Sequence, residues 1–387
     1  MDKNLKNEDL SSLDECIYCH SFCKSSCISF DISGNDCFLP RNISYFYNLL
    51  KKGELEASEN LVKIFYSCTA CSLCEINCVY DNKDFISNII KIRSETFKNN
   101  RNLIPAAVSM VIENLHKTGN IFGAAFKSLK TIPNSLKESF ETTLFLGCFI
   151  NYKVPEIFED ISAFLNKNEI RFNIFHDEPC CGAPLFYAGD IYSAKKIAQE
   201  IKDKIKSRNI KRLIMFCPAG YDYMKNWYKK LGIDLETDII FYTDFLNPVF
   251  KNIMQYSNAY LKQERNNSLK QDNNNIMFLE AGEFRNEKNI NKSAKEVLYN
   301  LKNTSNKELL SDTNFHTNCG GVLNLYNYKD IKKYVNEIVS KYNMIKSDFI
   351  VTISPICYYY LKEFGSGIKV RELIGYLSEM FKTNDSK

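Results

Sequence analysis

The sequence predicts an α+α/β protein, in which a helical N-terminal module precedes two α/β domains with parallel sheets. Three observations carry that expectation. Between Cys16 and Cys78, eight cysteines fall into two runs of four, each beside apolar residues at helical spacing. From Thr142 onward, short β-type runs alternate with amphipathic helical patterns, the order that builds parallel sheets covered by helices. Finally, Cys180-Cys181-Gly182 recurs as Asn318-Cys319-Gly320, and the turn Cys217-Pro218-Ala219-Gly220-Tyr221 recurs as Ser354-Pro355-Ile356-Cys357-Tyr358. The two offsets are 138 and 137 residues, a near-constant period that marks diverged copies of one unit.

In chain order, residues 1–100 form the helical module. Tyr45, Leu49 and Leu50 share one helical stripe, and Phe85, Ile86, Ile89, Ile90 and Ile92 another, which leaves each cysteine run in a loop between helices. Residues 101–140 read as a connector of mixed pattern. Residues 141–262 hold the first α/β domain, with buried strands over 144–146, 172–175 and 213–216. Ala194, Ile197, Ala198, Ile201 and Ile205 make one helix face there, with Asp190 as its N-cap. The polar, Asn-rich stretch 263–275 reads as a mobile linker, and residues 276–387 form the second domain, with strands over 276–279 and 349–353.

The chain has 387 residues, 45% hydrophobic and 25% charged, so its cores need neither disulfides nor metals as substitutes for apolar burial. A net charge of +4 is spread thinly, with no basic stripe among aromatics, which argues against nucleic acid as a partner. The stretch from Met1 to Asp14 is polar, without the apolar core of a secretory signal. The longest apolar candidate, 103–112, falls far short of the roughly 20 residues of a transmembrane helix. These features predict a cytoplasmic protein. In that reducing compartment, fifteen cysteines argue for metal or redox chemistry over a disulfide framework.

Cys68, Cys71, Cys74 and Cys78 follow the C-x2-C-x2-C-x3-C spacing of two-cluster ferredoxins. Three thiolates from such a loop reach three irons of one cubane, and the fourth cysteine serves the other cluster. By that rule Cys16, Cys19, Cys23 and Cys78 hold a first [4Fe-4S] cluster, while Cys68, Cys71, Cys74 and Cys27 hold a second. The first run has one extra residue, His20 or Ser21, between Cys19 and Cys23, which a bulged loop has to absorb. Ile28 and Val79 stand where a proline usually follows, which weakens a turn preference and removes no ligand. Zinc is the alternative, but its ligands come as two pairs with a longer spacer, and four cysteines within about a dozen residues, twice, favour iron–sulfur. Cys37 matches neither run and reads as a small buried hydrophobe. His20 has four thiolates near it and is not needed as a ligand.

Cys148, the pair Cys180 and Cys181, and Cys217 each follow a predicted strand, so all four should meet at the C-terminal edge of one parallel sheet. Gly182 lets the backbone turn tightly beside the pair. These four are the candidate ligands of a third iron–sulfur cluster. In the second copy only Cys319 and Cys357 remain, and three roles stay open for them: buried residues, added ligands of that third site, or a redox-active thiol pair. His176 is read as a solvated loop histidine.

With these motifs in hand, the chain resembles the iron–sulfur proteins that carry the CCG cysteine-rich domain, including the D-type subunit of heterodisulfide reductase and the iron–sulfur subunit of glycolate oxidase. The resemblance runs through the ferredoxin-like region around Tyr45 to Cys78 and the connector segment Asn114-Leu115-His116-Lys117-Thr118-Gly119-Asn120. It continues through Leu144-Phe145-Leu146-Gly147-Cys148 and Cys180-Cys181-Gly182-Ala183-Pro184-Leu185. It implies a two-cluster ferredoxin module followed by two CCG domains, the second degenerate. It also implies electron transfer with a flavoprotein partner, and in some members disulfide reduction at a noncubane cluster. The family's repeat ends in C-x2-C, whereas Gly220 stands in the second cysteine's place here, which leaves four thiolates where five would serve that cluster.

Three functions follow as expectations. The leading one is an electron-transferring subunit of an oxidoreductase complex, because the chain has no G-x-G-x-x-G fingerprint after a strand and so depends on a flavoprotein for two-electron chemistry. Such a complex leaves room for a peripheral membrane partner. The second is a disulfide reductase with Cys148, Cys180, Cys181 and Cys217 as its catalytic residues. The third is a regulatory or assembly protein whose degenerate repeats serve as binding surface.

Overall fold

A computed structural model of the chain describes residues 11–81, 84–128, 141–175, 177–263, 275–281, 288–301 and 328–382. The architecture is the α+α/β arrangement that the sequence predicts. In the N-terminal region, Pro40–Lys52, Glu59–Ser67 and Phe85–Asn99 are helices. Pro40 presets the first turn of one, and Ser58 caps the next by accepting from the Leu61 amide. Phe85, Ile86, Ile89, Ile90 and Ile92 are all buried. Tyr45 is not on the core face of its helix; it is 44% exposed, and Ile43 and Tyr47 fill the core instead. The region read as a mixed connector contains the helix Ala106–Thr118, whose Val108, Val111, Ile112 and Leu115 are buried. After it, buried Asn120 organises a turn, accepting from the Phe122 and Ala124 amides and donating to the Ala124 carbonyl.

The first sheet contains β1 (Thr142–Phe145), β2 (Asn173–Ile174), β3 (Arg212–Met215) and β4 (Asp238–Phe241) in the spatial order β2-β1-β3-β4, all parallel. The chain moves one way from β1 to β2 and the other way from β3 to β4. The switch point therefore lies between β1 and β3, the place where open α/β sheets form a crevice at their carboxyl ends. The second sheet is β5 (Ile276–Leu279), β6 (Phe349–Thr352) and β7 (Val370–Glu372), also parallel. β4, β7 and the helix Tyr242–Gln263 add to the strands and helices read from the sequence, and the stretch read as a linker begins on the last residue of that helix. Residues 264–274, Asn318, Cys319, Gly320 and His176 lie outside the described residues. Among the described residues, no helix is long and apolar enough to cross a membrane.

The two sheets are joined by a buried polar contact. The Tyr242 hydroxyl donates to Glu372 Oε1 at 2.5 Å, and the Ile374 amide donates to Glu372 Oε2 at 2.8 Å. Burial raises the Glu372 carboxyl to about 7, against the opposing pull of these hydrogen bonds. The folded state thus holds this proton more tightly than the unfolded chain does. Stability from this group is complete below about pH 4.5 and is lost as pH rises through about 7, by up to about 3 kcal/mol. Glu372→Gln keeps an acceptor for Tyr242 and removes the titration. The variant should gain denaturant stability relative to wild type as pH rises from roughly 5 to 8. A wild-type-to-variant difference that is flat with pH would refute this.

Candidate functional site

The two N-terminal cysteine runs fold against each other around two adjoining cavities. One, about 470 Å³ with its open mouth included, is lined by Cys16, Cys19, Cys23, Cys78 and Cys74, together with Phe22 and Tyr80. The other, about 330 Å³ with its open mouth included, is lined by Cys27, Cys68, Cys71 and Cys74. Pro40, Cys74 and Phe85 line both, so the cavities share a wall. Among the described residues, no three His, Cys, Asp or Glu side chains close on a single-ion site; the thiols stand around cavities instead.

Local backbone geometry accounts for the arrangement. Ser21 takes a left-handed conformation, φ 60° and ψ 45°, and absorbs the extra residue of the first run. Ala70 and Ser72 take left-handed conformations in the second run, at φ 51° and 58°. Each such non-glycine residue costs about 1–2 kcal/mol, strain that the loop retains in exchange for turning its thiols inward. Burial and mutual repulsion push the thiols up, Cys16 to about 12 through burial, Cys23, Cys78 and Cys19, and Cys23 to about 11 through burial and Cys19. Cys27, whose thiol faces Cys68 and Cys71, and Cys74 are also raised, with burial the leading cause. Buried thiols that repel one another as anions are suited to a multiply charged cationic core, which would hold them as thiolates.

Cys148, Cys180, Cys181 and Cys217 meet at the β1/β3 switch point. Cys148 begins a short helix after β1, Cys180 and Cys181 follow β2, and Cys217 precedes Pro218 after β3. Gly147 makes the close approach possible: at φ 86°, a Cβ there would sit 2.9 Å from Cys217 Cβ. A Cβ at Gly220 would lie 3.6 Å from Cys181 Sγ, so the position where the repeat pattern has another cysteine faces this thiol group. Burial is the first cause of the upward shift of Cys148, followed by Cys217 and Cys181. For Cys181 the hydrogen bond with Cys180 leads and burial follows. Cys180 Sγ accepts from the Gly182 amide at 3.4 Å, and the Tyr228 hydroxyl donates to the Cys181 carbonyl at 2.7 Å.

Glu178, which the sequence reading passed over, fastens this site. It is 8% exposed, and its carboxylate accepts from the Leu146 amide at 2.6 Å, the Gly147 amide at 2.7 Å and Asn151 Nδ2 at 2.8 Å. The bonds pin the loop that presents Cys148. Burial nonetheless raises the Glu178 carboxyl to about 7. Its one sequence signal was an acidic residue two places before the cysteine pair.

Other singled-out residues sit apart from these groups. Cys37 is half-buried in a short 3-10 turn, not a fully buried core residue, and its amide donates to Asn35 Oδ1. The His20 ring meets Phe22 edge-on at 6.2 Å. Cys357 is 2% exposed at the start of the helix Pro355–Phe364 and is in a disulfide.

Comparison with known proteins agrees with this geometry at the level of family. Residues 142–220 match the family model of the CCG cysteine-rich domain. The chain is 25% identical over 202 residues to the EtfAB:quinone oxidoreductase of Syntrophomonas wolfei, covering 47% of this chain and 27% of that protein. It is 20% identical over 382 residues to an iron–sulfur protein of Methanocaldococcus jannaschii, covering 92% and 68%. It is 21% identical over 233 residues to a fumarate reductase (CoM/CoB) subunit of Methanothermobacter marburgensis, covering 59% and 46%. The matched region thus spans about a quarter of the first of these relatives and under half of the third.

Proposed function

We propose that this iron–sulfur protein with a CCG cysteine-rich domain is the electron-transferring subunit of a larger oxidoreductase, with a flavoprotein as its redox partner. The observation that carries the reading is continuity: two thiol-lined cavities share a wall, and Arg93, which donates to both the Cys68 and the Tyr187 carbonyls, ties the second to the domain that holds the third cysteine group. We assign Cys16, Cys19, Cys23 and Cys78 to one [4Fe-4S] cluster, Cys27, Cys68, Cys71 and Cys74 to another, and Cys148, Cys180, Cys181 and Cys217 to a third iron–sulfur site. When bound, such clusters store and pass single electrons at irons held by thiolate sulfur. The chain's own residues give the path two ends. Phe22, Val79 and Tyr80 are 56%, 64% and 56% exposed beside the first cavity, which makes this the solvent-facing end. We assign the Cys148 group, in the β1/β3 crevice, to the other end. Relatives that are named as a quinone oxidoreductase and a fumarate reductase subunit support a role in a multi-subunit complex.

A second reading, disulfide reduction at the switch point, is favoured by the Cys181 thiol facing the cysteine-free position Gly220. Both readings meet one experiment. Anaerobically purified full-length protein should contain iron and acid-labile sulfide for two cubanes and a further site, copurify with a flavoprotein and accept electrons from it. Cys181→Ala should keep both cubane signals in electron paramagnetic resonance and lose the remainder. Absence of flavoprotein exchange sinks the first reading, and unchanged disulfide reduction by the variant sinks the second.

A further inference from the structure

Arg93, on the helix Phe85–Asn99, is fully buried at 0% exposure. Its guanidinium donates to three backbone carbonyls: Nε to Phe65 at 3.0 Å, Nη1 to Tyr187 at 3.1 Å and Nη2 to Cys68 at 2.5 Å. It also lies over the Tyr66 ring, 5.2 Å from its centre. All three acceptors are neutral, and among the described residues no carboxylate pairs with it. A guanidinium stays protonated in proteins, and a buried charge without a counter-ion costs several kcal/mol. An anion beside Arg93 would offset that cost. The bond from Nη2 to the Cys68 carbonyl sets this charge against the second cysteine run, where the buried Glu75 beside Cys74 is the charge of opposite sign.

The three carbonyls come from three places: the helix Glu59–Ser67, the second cysteine run, and the helix Ala183–Ala188 of the CCG domain. Tyr66 adds a bond across the same seam, its hydroxyl donating to the Ala188 carbonyl at 2.7 Å. No equivalent buried cation is found at the first cavity among the described residues. Arg41 lines it but is exposed, so solvent and salt screen its charge.

We infer that Arg93 is the counter-charge and positioning residue of the group held by Cys27, Cys68, Cys71 and Cys74, and makes it the higher-potential member of the pair, on the side facing the CCG domain. The inference rests on the cluster assignment above. A fixed positive charge favours the state with one more electron, because reduction adds one negative charge near it. The electron comes from an external one-electron reductant.

The test is a mediated redox titration of the purified holoprotein with dithionite, followed by electron paramagnetic resonance. Cys71→Ala identifies the signal of the second site by removing it. In wild type, that signal should have the higher potential; the reverse order overturns the inference. Arg93→Gln should retain iron and shift the reduction equilibrium of that signal at least about tenfold toward the oxidised state, about 59 mV for one electron, with the other signal unmoved. Arg93→Lys, which keeps the charge and loses the fork, should shift it less. Equal potentials in wild type and an iron-replete Arg93→Gln variant overturn the inference alone. If Cys71→Ala, which leaves no donor atom, removes no signal, the cluster assignment itself has failed.

Discussion

Gly189→Ala is expected to be among the most damaging single-methyl changes in this protein. Gly189 ends the helix Ala183–Ala188 at φ 93°. A Cβ there would stand 2.4 Å from the Arg93 carbonyl oxygen, 2.5 Å from its carbon and 2.8 Å from the Ser94 nitrogen. These are backbone atoms inside a helix, and they cannot swing aside as a side chain can. The positive φ costs about 1–2 kcal/mol, and forcing the seam apart adds overpacking strain, for a total on the order of 3–5 kcal/mol. Gly119→Ala supplies the control, because Gly119 has a similar φ of 72° with nothing within 4 Å, and should lose only about 1 kcal/mol. Denaturant unfolding of both variants measures the contrast. Equal, small losses would show that the helical module and the CCG domain are not pressed together at this seam.

Cys27→Ala should abolish the second site although Cys27 belongs to the first run. Its thiol is grouped with Cys68, Cys71 and Cys74 around the second cavity, while Cys78, the last residue of the second run, lines the first. Under the assignment proposed above, each run lends its final cysteine to the other. Iron content of the ferredoxin-like module should fall by about half, and the surviving resonance should be the one that Cys16→Ala removes. Loss of the Cys16-dependent signal in Cys27→Ala would mean that each run serves itself.

Much of this architecture could be read directly, because local chemistry wrote it. Thiol spacing and period-two or helical patterning are short-range signals, so the cysteine runs, β1, β3, β5 and β6 and the Asp190 cap were legible. β4 and β7 were not: β4, Asp238–Phe241, opens on an exposed charged residue and is only partly buried, and β7, Val370–Glu372, is three residues long and turns the Glu372 carboxyl inward. Tertiary pairing stabilises such strands where propensity does not. Glu178 and Arg93 escaped for a related reason. A lone acidic or basic residue in sequence reads as surface, and only packing shows that one is buried under three donors and the other under three acceptors.

By itself the sequence determined the fold class and the thiols available for iron, because both depend on residue type at short spacing. The spacing rule also grouped the thiols and brought Cys148, Cys180, Cys181 and Cys217 to one sheet edge; tertiary structure alone decided that this edge opens between β1 and β3, that Glu178 fastens the Cys148 loop, and that Arg93 joins the module to the CCG domain. These depend on contacts between residues far apart in the chain, such as Arg93 with Tyr187 and Tyr66 with Ala188, and no local pattern encodes them.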